Sequence, residues 1–452
     1  MHRRCTLALL LALALAAALA ADGPVNCGDK AARPSPAWVK NAVIYEVFTR
    51  SFSAEGSFRE VEKALPRLKE LGVTVVWLMP IHRTGALNRK GHLGSPYATQ
   101  DYYSIDPMYG AAADLKSLVR AAHGLGMRVV VDIVANHTGW DCVMMDKNPA
   151  YYTRKDGQII APVPDWTDVA DLDYDNPELR AYMTEMLKYW VRDFDIDGYR
   201  CDVANMIPLD FWENARVELE KIKPELLMLA EGDWPQDHLK AFDLTYSWRF
   251  YEAMIDAVNR GRDAAWLRQV FEDEQAMFPK GALIMRFNDN HDKYRAVHLF
   301  GDEAALMTAA LTATIPGVPM LYNGQEVGDP VPSNDPALFE KYDILWYNNV
   351  GRMKRFQDFY AGLLALRRGS RALREGSIAF LDAGPTVFAF QRKAEGEAVV
   401  VLANLTNRKL SAAVPVAAGE EYRQVFPAGG TKAVKAGAPV ELGPFEFVVF
   451  GK

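Results

Sequence analysis

The sequence of 452 residues predicts an α/β fold: a (β/α)8 TIM barrel with a small subdomain inserted after strand 3 and a C-terminal all-β sandwich domain. Eight short apolar segments alternate with segments of helical periodicity, and eight such units are the count of this kind of barrel. A long polar and aromatic segment interrupts the alternation after the third strand, and a connection of that length predicts a subdomain. After residue 371 the helical periodicity ends, and short strands separated by Gly, Pro and Ala turns follow.

The first half of the barrel is predicted from strands over 42–52, 74–80, 129–134 and 195–204. The third of these is fully apolar, as expected for a strand buried on both faces of a parallel sheet. Ser57 and Glu60 form a capping-box pattern before a helix that ends at Gly72, and a second helix is predicted over 114–125. Asn176 and Pro177 are expected to begin the helix that leads into the fourth strand.

The second half follows the same alternation, with strands over 226–230, 244–248, 282–287 and 318–322 and helices over 209–222, 303–314 and 350–368. A doubly wound open sheet is the alternative architecture, but no glycine-rich phosphate loop follows the first strand. Strands over 377–381, 386–392, 398–405 and 445–450 make up the predicted C-terminal domain.

The N-terminus has the pattern of a secretory signal peptide over residues 1–20. Arg3 and Arg4 precede an almost pure Leu and Ala run that ends in the small-residue pattern Ala18-Leu19-Ala20. The run is short for a membrane span, and no second run of that length follows, so we expect a secreted or periplasmic chain without a membrane segment. Residues 21–41 are an irregular lead-in, 42–370 the barrel with its inserted subdomain at about 138–175, and 371–452 the C-terminal domain.

Composition limits the partners and the redox chemistry. The net charge of −7 comes without a run of basic residues, which argues against nucleic acid as a partner. After removal of the leader, Cys27, Cys142 and Cys201 remain, and an odd number forms no disulfide framework. Cys201 is expected to be a buried free thiol, whereas a Cys27–Cys142 disulfide is left open.

Polar side chains follow four of the predicted strands, at the end where such a barrel carries its reactive groups. They are Asp132, Asn136 and His137 at the third strand, Arg200 and Asp202 at the fourth, Glu231 at the fifth, and Asn290, His291 and Asp292 at the seventh. Each one alone is compatible with a structural role. Because a buried carboxylate needs a partner or a function, four strand ends of this kind together predict an active site.

The residue types narrow the chemistry. Side chains alternate along a strand, so Arg200 and Asp202 share a face, either as a structural ion pair or as a nucleophile that the guanidinium keeps ionised. Zinc is disfavoured because only His137 and His291 are well placed as ligands, and phosphoryl transfer lacks its phosphate loop. Glycosidic bond cleavage requires two carboxylates, one that attacks the sugar carbon and one that protonates the leaving oxygen.

Five stretches resemble conserved regions of the alpha-amylase family, glycoside hydrolase family 13. They are Asp-Ile-Val-Ala-Asn-His (132–137), Val-Ala-Asp-Leu-Asp (169–173), Gly-Tyr-Arg-Cys-Asp (198–202), Ala-Glu-Gly (230–232) and Asn-His-Asp (290–292). Together they span the whole barrel. With the predicted leader, the resemblance implies an exported retaining hydrolase that cleaves α-glucosidic bonds of starch-like α-1,4-glucans or maltooligosaccharides, a chemistry for which no cofactor is required.

The resemblance also implies roles for single residues. Asp202 would be the nucleophile, Glu231 the general acid/base and Asp292 the carboxylate that stabilises the transition state. Arg200 favours the ionised form of Asp202, whereas apolar neighbours such as Leu229 favour a protonated Glu231.

Further residues are implied to bind the substrate or a metal ion. The resemblance places Tyr97 in a stack on the sugar and His137, His291 and Arg200 in contact with substrate. Asn136 and Asp171 match family calcium ligands, so a structural calcium is left open.

The chain departs from the common family pattern just after the predicted nucleophile. Asn205 and Met206 stand where many amylases have a Lys-His pair associated with sugar binding, and Val203 also occurs in members that act on α-1,6 bonds. An α-glucosidase, isomaltase or transglycosylase on the same scaffold is therefore an alternative, as is an inactive carbohydrate-binding relative. Four aromatic residues are left unassigned between sugar stacking and packing: Trp140, Trp166, Trp346 and Tyr347.

Overall fold

The computed structural model describes residues 23–334, 336–347 and 349–452. The predicted signal peptide, residues 1–20, lies outside these ranges, so export stays a prediction from the sequence. Within the described ranges, no helix is long and apolar enough to cross a membrane.

Eight parallel strands close into the predicted barrel, in the spatial order β1-β8-β7-β6-β5-β4-β3-β2. The strands are β1 (Ile44–Val47), β2 (Val75–Leu78), β3 (Arg128–Ile133), β4 (Gly198–Cys201), β5 (Leu227–Ala230), β6 (Leu244–Tyr246), β7 (Leu283–Arg286) and β8 (Val318–Tyr322). Nearly every strand residue is buried, because one face packs inside the barrel and the other against the helices. Trp77, Leu229 and Met320 belong to the inner core.

The helices form the outer layer of the barrel, and the predicted ones agree with the structure to within two residues. The α-helices are Thr49–Phe52, Phe58–Leu71, Ala112–Gly124, Val143–Lys147, Pro177–Phe194, Leu209–Glu220, Trp248–Arg260, Ala264–Met277, Ala296–Phe300, Asp302–Thr314, Val350–Gly369 and Arg371–Glu375. The Asn176 side chain accepts hydrogen bonds from the first turn of the helix it was predicted to begin.

Two local predictions in the first unit are wrong. The strand predicted over 42–52 ends at Val47, because its last partner is Leu78 and the next residues turn into a short helix. Ser57 occupies the N-cap position of its helix, but its side chain makes no capping hydrogen bond, and Glu60 binds Lys63 instead of closing a capping box.

The described part of the lead-in, residues 23–41, packs against the barrel wall. After β5 the chain has only a short 3-10 helix, Pro235–Leu239, in place of a full helix. The lead-in covers this region: the Arg33 N–H donates to the His238 carbonyl oxygen at 2.8 Å. The Arg33 guanidinium forms ion pairs with Asp243 at 2.5 Å and Glu220 at 2.6 Å.

The segment inserted after β3 forms small antiparallel pairs of its own. His137–Gly139 pairs with Val169–Asp171, and Arg154–Lys155 pairs with Gln158–Ile159. The first of these pairs holds both ends of the insertion against the C-terminal end of the barrel.

The C-terminal domain is all-β, as predicted. Its six-stranded antiparallel sheet has the order Ser377–Asp382, Val387–Ala394, Glu397–Asn404, Phe447–Gly451, Glu421–Phe426, Ala433–Lys435, and Leu410–Ala413 pairs separately with Pro439–Leu442. Four of these strands are absent from the sequence prediction, because they are short and expose much of their length. One face of the large sheet packs on the small ribbon, and the other face packs on barrel helices through residues such as Phe390 and Phe271.

All three cysteines of the described ranges are buried free thiols. This confirms the prediction for Cys201. Cys27 lies against the end of helix Ala264–Met277, whereas Cys142 lies in the inserted subdomain, so the Cys27–Cys142 disulfide left open by the sequence is not formed.

Candidate active site

The buried guanidinium of Arg200 on β4 joins three carboxylates at the C-terminal end of the barrel. Its Nη1 donates to Asp132 at 2.9 and 3.0 Å and to Asp202 at 2.9 Å. Its Nη2 lies 2.8 Å from Glu231 Oε2 in an ion pair, and its Nε donates to the Tyr246 hydroxyl at 3.2 Å. The structure therefore brings three neighbouring strands, β3, β4 and β5, to one cation.

Backbone pairing places these side chains. The Asp202 N–H donates to the Ile133 carbonyl oxygen at 3.0 Å, and the Glu231 N–H donates to the Cys201 carbonyl oxygen at 2.9 Å. Each carboxylate thus leaves its strand at the same level. The predicted sharing of one face by Arg200 and Asp202 is confirmed by their contact.

The charge balance differs from the expectation that Arg200 simply keeps Asp202 ionised. Burial raises the pKa of Asp202 well above its usual range, and the attraction of Arg200 opposes that rise without cancelling it. The nearby carboxylates Glu231 and Asp132 raise it further. Burial also raises the pKa of Asp132 to about 6. One guanidinium shared by three carboxylates cannot neutralise all of them, so Asp132 and Asp202 bind a proton more strongly than an exposed aspartate does.

Glu231 lies in a more polar environment than its apolar sequence neighbours suggested. Its Oε2 accepts the Val203 N–H at 2.7 Å and contacts Arg200. The hydrogen bond from Val203 and the ion pair with Arg200 both reach the same oxygen, Oε2. Oε1 is left as the oxygen that can face a ligand, and the side chain is 16% exposed.

Asp292 and His291 follow β7 and form the opening of the site. The Asp292 side chain is 33% exposed and lies 3.2 Å from His291 Nε2. His291 is buried, with Nδ1 bonded to Glu46 and Nε2 paired with the Tyr97 hydroxyl at 2.7 Å. Burial lowers the pKa of His291, but Asp292 and Glu46 outweigh it and raise the pKa to about 9. The ring is therefore an imidazolium at neutral pH.

The raised pKa of His291 predicts a pH-dependent stability. A protonated His291 stabilises the fold fully below its ordinary pKa of about 6.5, and this contribution is lost as the pH rises through about 9. We expect the gap in melting temperature between wild type and His291→Gln to be larger at pH 6 than at pH 10. The exposed His298→Gln is the control, and a gap that does not change with pH would contradict the assignment.

Tyr97 contacts the carboxylate cluster and His137 lies next to Tyr97; substrate binding by these two residues stays a prediction. The Tyr97 ring stacks on the His291 ring with centroids 5.3 Å apart, and its hydroxyl donates to Asp132 at 3.1 Å. Burial lowers the pKa of His137 to about 3, so this ring is neutral and can both donate and accept a hydrogen bond.

Asn136 and Asp171, the residues matched to calcium ligands, lie close together at the base of the inserted subdomain, where the Leu172 N–H donates to the Asn136 carbonyl oxygen at 3.1 Å, and a structural calcium there stays a prediction. Asn136 uses its side-chain amide 3.3 Å from His137 Nδ1, and Asp171 lies on the strand paired with His137. Calcium takes six to eight oxygen ligands. No group of three His, Cys, Asp or Glu side chains within the described ranges is arranged to hold a metal ion.

Of the four unassigned aromatic residues, one lies at the edge of the site, two connect loops and one is exposed. The Trp166 ring lies 5.4 Å from the His137 ring, at the edge of the site. Trp140 and Trp346 donate their indole N–H groups to backbone carbonyl oxygens at 2.9 and 2.8 Å, which ties together neighbouring loops. Tyr347 is 89% exposed.

Glu46 and Tyr246 are site residues that the sequence analysis missed. Glu46 on β1 reaches His291 after β7 past the single intervening strand β8, and the Tyr246 hydroxyl on β6 accepts from Arg200 Nε. Glu46 could have been found from the sequence, because it is a carboxylate within an otherwise apolar barrel strand. Burying such a group without a partner is costly.

Comparison with known proteins agrees with the fold. The family model described as alpha amylase, catalytic domain, matches residues 40–160 and 163–334. The model described as maltogenic amylase, C-terminal domain, matches residues 378–449. A cyclomaltodextrinase of Thermoanaerobacter pseudethanolicus is 28% identical over 432 residues, covering 84% of this chain and 73% of the relative.

Two crystal structures extend the similarity to almost the whole chain. A noncanonic maltogenic alpha-amylase, AmyB, from Thermotoga neapolitana has 32% sequence identity and a TM-score of 0.84, with 92% of this chain and 99% of the other covered. An alpha-amylase from Lactobacillus plantarum has the same identity and coverage and a TM-score of 0.79. The barrel, the C-terminal domain and the matched catalytic-domain model together establish that the chain belongs to the alpha-amylase family of glycoside hydrolases.

Proposed function

We propose that this chain is a retaining hydrolase of α-1,4-glucosidic bonds in starch-like glucans and maltooligosaccharides. The observation that carries the proposal is the pair of carboxylates on one guanidinium, with Asp202 2.9 Å from Arg200 Nη1 and Glu231 2.8 Å from Nη2. Retaining glycosidases hold their two carboxyl groups about 5 to 5.5 Å apart, whereas inverting enzymes leave about 6.5 to 9.5 Å for a water molecule. Asp202 and Glu231 bind the two neighbouring terminal nitrogens of one guanidinium, which supports the shorter distance between carboxyl groups that retaining enzymes have.

The first step forms a bond and breaks one. The Asp202 carboxylate attacks the anomeric carbon while the bond from that carbon to the leaving oxygen breaks, and Glu231 gives its proton to that oxygen. In the second step Glu231 takes a proton from water, the water oxygen bonds to the anomeric carbon, and Asp202 leaves. Because both carboxylates contact Arg200, they are held side by side, so that Asp202 can attack the anomeric carbon while Glu231 protonates the leaving oxygen.

The remaining site residues have roles that follow from their charge and position. Asp292 is a carboxylate at the opening of the site, suited to stabilise the positive charge that develops on the sugar ring. The Tyr97 ring forms the wall beside the reacting sugar. Neutral His137 can offer a hydrogen bond to a sugar hydroxyl group, whereas His291, with Nδ1 on Glu46 and Nε2 on the Tyr97 hydroxyl, holds Tyr97 and Asp292 in place beside the sugar.

Family resemblance makes two further substrates worth testing. The match of residues 378–449 to a maltogenic amylase C-terminal domain, and the similarity to a cyclomaltodextrinase, favour short and cyclic maltooligosaccharides over long starch chains. Val203 after the nucleophile favours α-1,6 cleavage or sugar transfer as the second candidate activity.

A product analysis tests the proposal. We expect the purified chain to cleave maltoheptaose, with the α-anomer appearing first in the proton NMR spectrum, and to cleave a cyclomaltodextrin. Pullulan and isomaltose in parallel assays separate α-1,4 from α-1,6 preference. A β-anomer as first product would refute retention, and a folded protein that cleaves none of these glucans would favour the carbohydrate-binding alternative.

We also propose export of the mature chain, which rests on residues 1–20 alone. Sequencing the N-terminus of the protein recovered outside the cytoplasm tests it. An intact Met1 on the active protein would contradict the proposal.

A further inference from the structure

The turn that follows β4 lies against the loop that follows β5. That loop begins with Glu231, the predicted acid/base. The turn comprises Val203 and the 3-10 helix Ala204–Met206. The Val203 N–H donates to Glu231 Oε2 at 2.7 Å, and the Ala204 N–H donates to the Glu231 carbonyl oxygen at 3.1 Å. Both the side chain and the backbone of Glu231 are therefore held from this turn.

Asn205 attaches the turn to two further points of the same loop. Its side-chain amide donates to Asp237 Oδ2 at 2.8 Å. Its Oδ1 lies so close to Gly232 that a Cβ there would be 1.8 Å away, and no side chain could fit between them. Gly232 and Asp237 follow Glu231 in the chain, so Asn205 spans the segment that carries the carboxylate.

The hydrogen bond to Asp237 is made in a buried place. Asp237 is 1% exposed, and burial raises its pKa to about 7, which the Asn205 hydrogen bond opposes. A buried carboxyl group that loses a hydrogen-bond partner keeps the cost of its burial without compensation. Loss of the Asn205 amide would therefore let the loop rearrange.

The backbone of Val203 shows why the turn needs such an anchor. Val203 has φ 38° and ψ 47°, in the left-handed region, where a β-branched residue is strained. That conformation directs its N–H toward Glu231. A strained residue keeps its conformation only when the surrounding contacts hold it, and Asn205 is two residues away in the same turn.

We infer that Asn205 is a positioning residue for the acid/base Glu231: it anchors the turn so that the Val203 N–H occupies Oε2 and leaves Oε1 to protonate the leaving oxygen. This inference rests on the proposed function. Asn205 takes no part in the reaction itself, and its effect passes through the orientation of one carboxylate.

The inference predicts a selective defect that depends on the leaving group. When a maltooligosaccharide is cleaved, the leaving oxygen takes a proton from Glu231. When α-maltosyl fluoride reacts, the carbon–fluorine bond breaks and fluoride departs as an ion, so no proton is needed. A misplaced acid should therefore impair the first substrate and spare the second.

The experiment compares kcat/KM of Asn205→Ala on maltotetraose and on α-maltosyl fluoride. We expect a loss of about 10- to 100-fold on maltotetraose, since a small misplacement of a catalytic group can cost about 100-fold, and a change below about 3-fold on the fluoride. Asp237→Ala should reproduce this split. Asp237→Asn, which keeps an oxygen acceptor for the Asn205 amide, should restore nearly normal activity on both substrates.

Asn214→Ala is the matched control, because Asn214 is exposed on helix Leu209–Glu220 away from the site. Equal losses on both substrates would indicate general loss of structure and overturn the inference, as would unchanged kcat/KM on maltotetraose. A wild-type protein inactive on both substrates would instead refute the proposed function.

Discussion

Replacing Asp202 with asparagine is expected to lower kcat by about 10⁴-fold or more, since an amide cannot form the covalent bond on which the two-step reaction depends. The fold should be kept. The asparagine Oδ1 can still accept from Arg200 Nη1, which holds the present carboxylate at 2.9 Å. Stability should even rise slightly at pH 7, because burial raises the pKa of Asp202 and its ionised form therefore opposes folding.

Release of reducing sugar from maltoheptaose and thermal unfolding at pH 7 measure the two effects of this substitution. Asp210→Asn is the matched control, since that carboxylate is exposed and forms only a surface ion pair with Arg180. It should leave the rate unchanged. If Asp202→Asn retained activity within tenfold of wild type, the nucleophile would have to be another residue.

Replacing Arg200 with methionine is expected to produce the largest loss of stability. Removing one member of a buried ion pair leaves an uncompensated charge and costs about 3 to 5 kcal/mol. Here the guanidinium forms ion pairs with Asp132, Asp202 and Glu231. We therefore expect the free energy of unfolding to fall by at least about 3 kcal/mol at pH 8. Equilibrium unfolding in urea measures it.

The pH dependence of the Arg200→Met deficit separates charge from packing. Burial raises the pKa of Asp132 and Asp202 above the ordinary value, so the cost of their ionisation is absent below about pH 4 and grows as the pH rises through the raised values. The deficit should therefore shrink between pH 8 and pH 5. A deficit that stayed constant would indicate lost packing instead. Arg268→Met, which breaks an exposed pair with Glu272, should cost less than about 1 kcal/mol.

Sequence patterns could not predict all the contacts of Arg200 or the backbone conformation of Val203. Alternation along the strand was enough to place Arg200 and Asp202 together. It gave no sign that Glu231 would share the same guanidinium, because Glu231 lies on the next strand and its reach depends on the register between β4 and β5. The left-handed Val203 was equally hidden, since valine is an unusual residue for that conformation.

Patterns along the chain were sufficient to predict the eight-unit barrel, the all-β C-terminal domain and the strand ends where the polar residues lie. These features depend on local periodicity, and in a closed parallel barrel the C-terminal ends of all strands necessarily meet on one face. The short C-terminal strands were missed because each carries too few buried residues to show a period.

Which groups share charge depends on tertiary contacts. Closure of the barrel brings Glu46 of β1 to His291 after β7, and pairing of β4 with β5 brings Asn205 to Asp237, although neither pair is linked by any spacing in the sequence. Burial then shifts the pKa values of Asp202 and His291 in ways that depend on every neighbour at once. Proton affinity in a site of this kind is a property of the assembled cluster, because Coulomb interactions and desolvation depend on distances that the chain sets only when it folds.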